Sequence, residues 1–154
     1  MALAIAAALA LTTAAAPASE GTPVESNLEY AQPIAGDWTY ALTSDGSEAT
    51  FANAAKLPQL TIRCIRSTRR LSILKPASSP SPSLWVWTSS RKQSLPATYD
   101  AAAGRVVAEL AAYDPLLDAM ASSRGRIGFS TSGLAALVVP PWAEVARVIE
   151  DCRV

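Results

Sequence analysis

The sequence predicts an α+β fold: a mainly antiparallel β-sheet of about seven short strands, with two helices packed on it. Three observations support this prediction. Apolar and polar residues alternate along several short runs, which is typical of half-buried strands. Asp114-Pro115 is an N-cap residue followed by proline, and it predicts a short helix near residues 115–123. Pro140-Pro141 ends a strand and predicts a C-terminal helix near residues 141–151.

The strand pattern is clearest in the first half of the predicted domain. Trp38, Tyr40 and Leu42 alternate with polar or small residues, so they predict a strand with one buried face. Residues 60–66 and 69–75 alternate in the same way and are joined by a short polar turn. We therefore expect these two runs to form a hairpin.

The middle of the chain combines loops with an apolar strand. Residues 76–83 are rich in proline and serine and predict a loop, as do the polar residues 89–96. Residues 84–88 are apolar on both faces and predict a central strand. Trp85 and Trp87 share one face of it, which favours core packing, with a sugar-stacking platform as the alternative.

The C-terminal part mixes strands and helices. Strand patterns return at residues 126–130 and 134–139. Residues 106–111 fit either a strand or a helix, and we favour the strand. The C-terminal helix carries an apolar stripe at helical spacing. The side chains that we expect this helix to bury are Trp142, Val145, Ile149 and Cys152.

The first 36 residues are predicted to lie outside the folded domain. Residues 1–18 are dominated by alanine and leucine and end in Ala16-Pro17-Ala18, an A-x-A cleavage pattern, so they predict a secretory signal peptide. No basic residue precedes the apolar run, and an uncleaved anchor is the alternative. Residues 19–36 are acidic and contain prolines, which predicts a flexible leader. A single β-rich domain is predicted over residues 37–154.

Composition argues against several classes of function. The 154-residue chain has a formal net charge of zero, which gives it no overall attraction to nucleic acid. It contains no histidine, the commonest general base and the commonest metal ligand. No phosphate-binding or dinucleotide-binding glycine motif is present. The sequence therefore predicts no metal, no cofactor and, once the signal peptide is cleaved, no stable membrane span.

Cys64 and Cys152 are the only cysteines of the chain. Two thiols in a protein predicted to be exported to an oxidising compartment usually pair, so we expect a disulfide between them. Two independently buried thiols are the alternative. The disulfide would join the first strand of the predicted hairpin to the end of the C-terminal helix. Closing so long a loop stabilises a fold by roughly 4–5 kcal/mol through lost chain entropy.

Charge is segregated along the chain although the total is zero. Residues 1–55 hold six acids and no base, whereas residues 56–99 hold eight bases and no acid. Five of these bases fall in the predicted hairpin, namely Arg63, Arg66, Arg69, Arg70 and Lys75. The interpretation that we favour is a solvent-exposed hairpin face whose bases partly pair with acids near the C-terminus. The alternative is a surface that binds a partner protein or an anionic component of the cell envelope.

Candidate catalytic residues are few. Asp114 and Asp118 are four residues apart on the predicted short helix, but Asp114 is already explained as its cap. Ser122 and Ser123 have no lysine or histidine base nearby in the sequence. The sequence therefore predicts a protein that is not an enzyme. The alternative hypothesis is a small hydrolase of an envelope polymer that uses carboxylates such as Asp114 and Asp118.

Three C-terminal segments carry a resemblance to known families. They are residues 114–119 (Asp-Pro-Leu-Leu-Asp-Ala), residues 122–126 (Ser-Ser-Arg-Gly-Arg) and residues 141–153, which begin Pro-Trp-Ala-Glu and end Glu-Asp-Cys-Arg. The chain from residue 38 to residue 153 resembles a group of uncharacterised exported proteins of Gram-negative bacteria. Its layout, an early Trp strand, a Leu-x-Ile-Arg-Cys strand and a late cysteine, is more distantly similar to two families. These are type VI secretion-associated VasI-like proteins and invasion-associated locus B proteins.

The resemblance implies a periplasmic or secreted β-rich domain and carries over no catalytic residue. The single pair of cysteines departs from the locus B pattern. Together with the charge pattern, it predicts a non-enzymatic interaction module of the envelope or of a secretion system. Such a module would bind its partner through a sheet edge or through the hairpin of residues 63–75.

Overall fold

A computed structural model describes residues 30–154, so the predicted signal peptide and most of the predicted leader lie outside the described residues. The described chain folds into nine strands and two helices. In chain order they are β1 (Gly36–Thr43), β2 (Gly46–Asn53), β3 (Pro58–Ile65), β4 (Arg70–Pro76), β5 (Ser83–Trp87), β6 (Lys92–Asp100), β7 (Arg105–Ala111), α1 (Pro115–Ala121), β8 (Ile127–Thr131), β9 (Leu137–Val139) and α2 (Ala143–Asp151).

The strands form one antiparallel sheet that curves into a half-barrel. Its order is β1-β2-β3-β4-β7-β6-β5-β8-β9, so the β4–β5 connection crosses over β7 and β6. The predicted α+β class and the hairpin of β3 with β4 are confirmed. The predicted strand number is wrong, since the sheet has nine strands rather than about seven.

β6 is the strand that the sequence did not reveal. Most of its side chains are exposed or half-buried and only Leu95 is buried, so its sequence resembles that of a loop. The first part of β6 pairs with β5 and the second part with β7. Pro96 lies where the partner changes, and the next residue, Ala97, opens the pairing with β7. A proline is tolerated there because it lacks the N–H that an uninterrupted ladder needs.

Because neighbouring strands are antiparallel, the connections collect at two opposite ends of the sheet. We call one the disulfide end, which contains the turns at residues 44–45, 66–69, 88–91 and 112–114. The other is the lysine end, which contains the connections at residues 54–57, 77–82, 101–104 and 132–136. The functional candidates differ in which end they occupy.

The helices cover one face of the curved sheet and complete the core. α2 packs on β1, β2 and β3 and contacts α1, with Val145, Val148 and Ile149 buried. The prediction that Trp142 is buried is wrong: it precedes α2 as its N-cap residue and is 44% exposed. Leu42 is also exposed, at 71%, although the strand alternation placed it on the buried face.

The short helix follows its prediction closely. The side chain of Asp114 accepts a hydrogen bond of 2.8 Å from the amide of Leu116, and Pro115 occupies the first helical position. These contacts are those expected of an N-cap and of a proline with no donor to satisfy. In residues 30–154, neither helix has the length and hydropathy required to span a membrane.

Candidate functional site

The β3–β4 hairpin carries the five bases predicted to bind a partner, and two of them pair with nearby acids. Arg63 lies with its Nη2 3.9 Å from Asp45 and its Nε 3.7 Å from Glu48. The Nε of Arg70 lies 3.0 Å from Glu109. The side chains in these pairs are about one third to one half exposed, so each contributes only about 0–1 kcal/mol to stability. The pairs nevertheless reduce the positive potential of the hairpin.

A third hairpin base, Arg66, belongs to a polar cluster around Asp151 at the end of α2. The hydroxyl of Tyr40 donates to Asp151 at 2.6 Å, and Arg66 Nη2 lies 4.0 Å from the same carboxylate. The Arg147 guanidinium stacks on the Tyr40 ring, 3.8 Å from its centroid. Burial acts to raise the pKa of Asp151. The hydrogen bond from Tyr40 and the nearby Ser47 hydroxyl, together with the charges of Arg66 and Arg147, outweigh burial and lower this pKa.

The disulfide lies beside this cluster. Cys64 of β3 and Cys152, the residue after α2, are joined across 88 residues with their Cα atoms 5.5 Å apart. The predicted pairing is therefore confirmed. Both cysteines are fully buried in the core. The disulfide and the Asp151 cluster together fasten the end of α2 to the sheet.

The two remaining hairpin bases, Arg69 and Lys75, lie at opposite ends of the hairpin. Arg69 occupies the turn with a φ of 49°, is exposed, and makes no ion pair within residues 30–154. Lys75 is only 7% exposed and lies near the far end of β4. The sequence contained the signal for this burial, because Lys75 alternates in phase with Leu71 and Ile73. The five bases therefore do not form one continuous patch, and their role in partner binding stays a prediction.

β1 forms one edge of the sheet. The hydrogen bonds between β2 and β3 show which backbone N–H and C=O groups of β1 point away from the sheet. The Arg66 amide bonds to the Asp45 carbonyl at 2.9 Å, which makes Gly46 and Ile65 a non-hydrogen-bonded pair. The backbone of Gly46 is therefore directed at β1. Since this direction alternates along a strand, every second residue of β1 directs its N–H and C=O away from β2. Within β1, these residues are Gly36, Trp38, Tyr40 and Leu42.

The two edges of the sheet differ in length and in cover. β9 has three residues, and the Ile34 amide donates to the carbonyl of Val138 at 2.9 Å on that strand. β1 has eight residues, and within residues 30–154 no second strand pairs with it. Its one charged residue, Asp37, is paired with Lys56 at 3.0 Å. β1 thus presents a long, nearly neutral edge.

The carboxylates of the hydrolase hypothesis have structural partners. Asp114 caps α1, and Asp118 lies 2.8 Å from the Nη2 of Arg153. Within residues 30–154, no group of three His, Cys, Asp or Glu side chains is placed to hold a metal ion. No contact of these carboxylates within residues 30–154 favours hydrolysis.

The two tryptophans of the alternative sugar-stacking platform pack against each other. The rings of Trp85 and Trp87 stack with centroids 5.9 Å apart, and Trp87 is buried.

No protein-family model matches the chain, no curated protein matches it, and no solved structure matches it. The resemblance to VasI-like and locus B proteins therefore stays a prediction.

Proposed function

We propose that the protein is exported and acts, in the periplasm or after secretion, as a non-enzymatic interaction module that binds an extended segment of a partner protein along β1. The observation that carries this proposal is the free edge of β1. Its outward N–H and C=O groups at Tyr40 and Leu42 are the groups that a further strand would bond.

The edge lacks the usual protections against pairing. Proteins generally shield edge strands with lysine, proline, bulges or very short length, because unpaired backbone groups recruit other chains. β1 contains neither lysine nor proline, keeps an unbroken register with β2 over eight residues, and exposes Leu42. An exposed edge of this kind supports a role in strand addition.

The edge also constrains the chemistry of its partner. Leu42 offers an apolar contact on one face of the added strand, and Thr39 and Ala41 offer small exposed side chains on the other. Because Asp37 is paired with Lys56, a highly charged segment would gain little from this edge. The partner that fits is an uncharged, alternating segment with an apolar residue next to Leu42.

Two further features support an extracytoplasmic location. The two cysteines of the chain are joined in a disulfide, which persists in oxidising compartments and is rare in the cytosol. The A-x-A pattern near residue 18 supports cleavage by the export machinery. A partner belonging to the envelope or to a secretion system would be present in the same compartment.

Site-specific photo-crosslinking in cells tests the proposal. A photoreactive phenylalanine analogue at Ala41 lies beside the edge, and we expect it to form one discrete covalent adduct with the partner. The same probe at Tyr113, which is exposed at the disulfide end, should not form this adduct.

A matched pair of variants separates strand addition from nonspecific contact. Leu42→Pro removes an outward amide but no β1–β2 ladder bond, so it should abolish the adduct at Ala41 while thermal unfolding shows a folded protein. Leu42→Ala keeps the amide and should retain the adduct. An adduct that survives Leu42→Pro, or the absence of any adduct at Ala41, would disprove binding along β1.

A further inference from the structure

Lys75 at the lysine end presents a chemical feature that binding along β1 does not use. The residue is 7% exposed, and its side chain makes no ion pair or hydrogen bond within residues 30–154. Burial lowers the pKa of Lys75 below its ordinary value, because the protonated amine has lost part of its water. A partly desolvated amine without a counter-ion gains more from an anionic partner than a fully exposed amine does.

The side chain lines an open pocket of about 490 Å³. The pocket is shallow and open to solvent, so a ligand would lie along its surface. Besides Lys75, its lining is mostly apolar or small. The other residues that line it are Pro76, Ala77, Ser78, Gly104, Leu134 and Ala135. The pocket therefore combines one cation with an apolar surface.

Hydrogen bonds between the connections hold the pocket in shape. The amide of Ala77 donates to the carbonyl of Gly104 at 3.0 Å, which joins the loop after β4 to the turn before β7. The hydroxyl of Ser81 accepts from the amide of Ser132 at 3.3 Å, which joins the same loop to the segment before β9. These bonds hold the three connections that line the pocket in place before a ligand arrives.

The charged groups nearest in the fold do not supply a counter-ion. Val106 of β7 lies opposite Lys75 in the register. Asp100 and Arg105, which flank the adjoining β6–β7 turn, pair with each other at 3.3 Å. Tyr99 directs its hydroxyl to the carbonyl of Ala77 at 3.4 Å. A negative charge for Lys75 must therefore come from outside residues 30–154 or from a ligand.

We propose that this pocket binds a small organic acid, a monocarboxylate with an apolar body, whose carboxylate pairs with Lys75 and whose body lies against Leu134, Ala135 and Pro76. A single cation matches a single negative charge, and no second base lines the pocket to hold a phosphate dianion. The apolar lining gives an aliphatic chain a surface that inorganic anions cannot use. This site is separate from β1 and does not depend on it.

Calorimetric titration of the exported chain with octanoate tests the site, with amide NMR shifts at Gly104 and Leu134 reporting the location. We expect saturable binding that Lys75→Met weakens tenfold or more. This variant removes the charge and keeps an unbranched apolar side chain, so folding is preserved. Arg69→Met, which removes the exposed base of the hairpin turn, is the matched control and should leave octanoate binding unchanged.

Three ligands complete the experiment. Octanol lacks the carboxylate, acetate lacks the apolar body, and inorganic phosphate supplies an anion of different charge and shape, so each should bind at least tenfold more weakly than octanoate. Equal binding of octanol would show an apolar pocket without an ion pair, and equal competition by phosphate would show a general anion site. Either result, equal binding by Lys75→Met, or failure of octanoate to bind, overturns the proposal.

Discussion

At the disulfide end of the sheet, the carboxylate of Asp151 has several polar partners, whereas at the lysine end the amine of Lys75 has none within residues 30–154. Asp151 receives a hydrogen bond from Tyr40 and lies near two arginines, beside the Cys64–Cys152 bond. Lys75 is more buried than Asp151, and its side chain has no counter-ion within residues 30–154. We therefore interpret the contacts at the disulfide end as stabilising, and we propose a ligand for the amine at the lysine end.

The largest expected effect is the loss of the disulfide. The double variant Cys64→Ala/Cys152→Ala should lose roughly 4–5 kcal/mol of stability, because the unfolded chain regains the entropy that the 88-residue loop removes. Chemical denaturation under oxidising conditions measures this loss. Reduction of the wild-type protein should give a similar decrease, and an unchanged denaturation midpoint in both would contradict the role assigned to the bridge.

A second prediction compares the stability cost of a truncation in the core beneath α2 with that of a truncation in the lining of the lysine end. Ile149→Ala should cost about 2–5 kcal/mol, since Ile149 is fully buried and its truncation leaves a cavity. Leu134→Ala, at a partly exposed position, should cost less than about 1 kcal/mol. Urea titration of both variants checks the difference. Equal losses of stability would mean that the core beneath α2 and the lining of the lysine end are equally well packed.

The Asp151 cluster gives a pH-dependent prediction. Because the folded-state pKa of Asp151 is lowered, its contribution is present above the ordinary carboxylate pKa and is lost as the pH falls through the folded value. Asp151→Asn should therefore cost about 1–3 kcal/mol at pH 7 and progressively less in acid. Denaturation between pH 7 and pH 2 measures this trend. Glu150→Gln, at an exposed neighbour, should show almost none of it.

A stability effect opposite in sign to those above is expected at Lys75. Its folded-state pKa is lowered, so protonation favours the unfolded chain and wild-type stability rises with pH between the folded value and the ordinary value of 10.5. Lys75→Met should then be more stable by about 1 kcal/mol at pH 7, with the gain shrinking toward pH 10.5. Thermal unfolding measures this difference, and a loss of stability in Lys75→Met would show that the ammonium is compensated in the fold.

Part of the fold could be predicted from the sequence because it depends on local chemistry. The start of α1 depends on Asp114 and Pro115, and strand alternation depends on neighbours two residues apart. The pairing of Cys64 with Cys152 followed from their being the only two cysteines in a chain with an export pattern. These features rest on residue type and short spacing, which the sequence displays directly.

Tertiary contacts decided the rest. β6 became a strand because β5 and β7 pair with its two halves, and Leu42 became exposed although the alternation of β1 marked it as buried. The pairing of Asp151 with Tyr40 joins residues 111 positions apart. β1 has a free edge because the strand order of the sheet places it at one side, with a neighbouring strand on the other side only. Residue spacing cannot encode such features, because they arise when distant segments pack together.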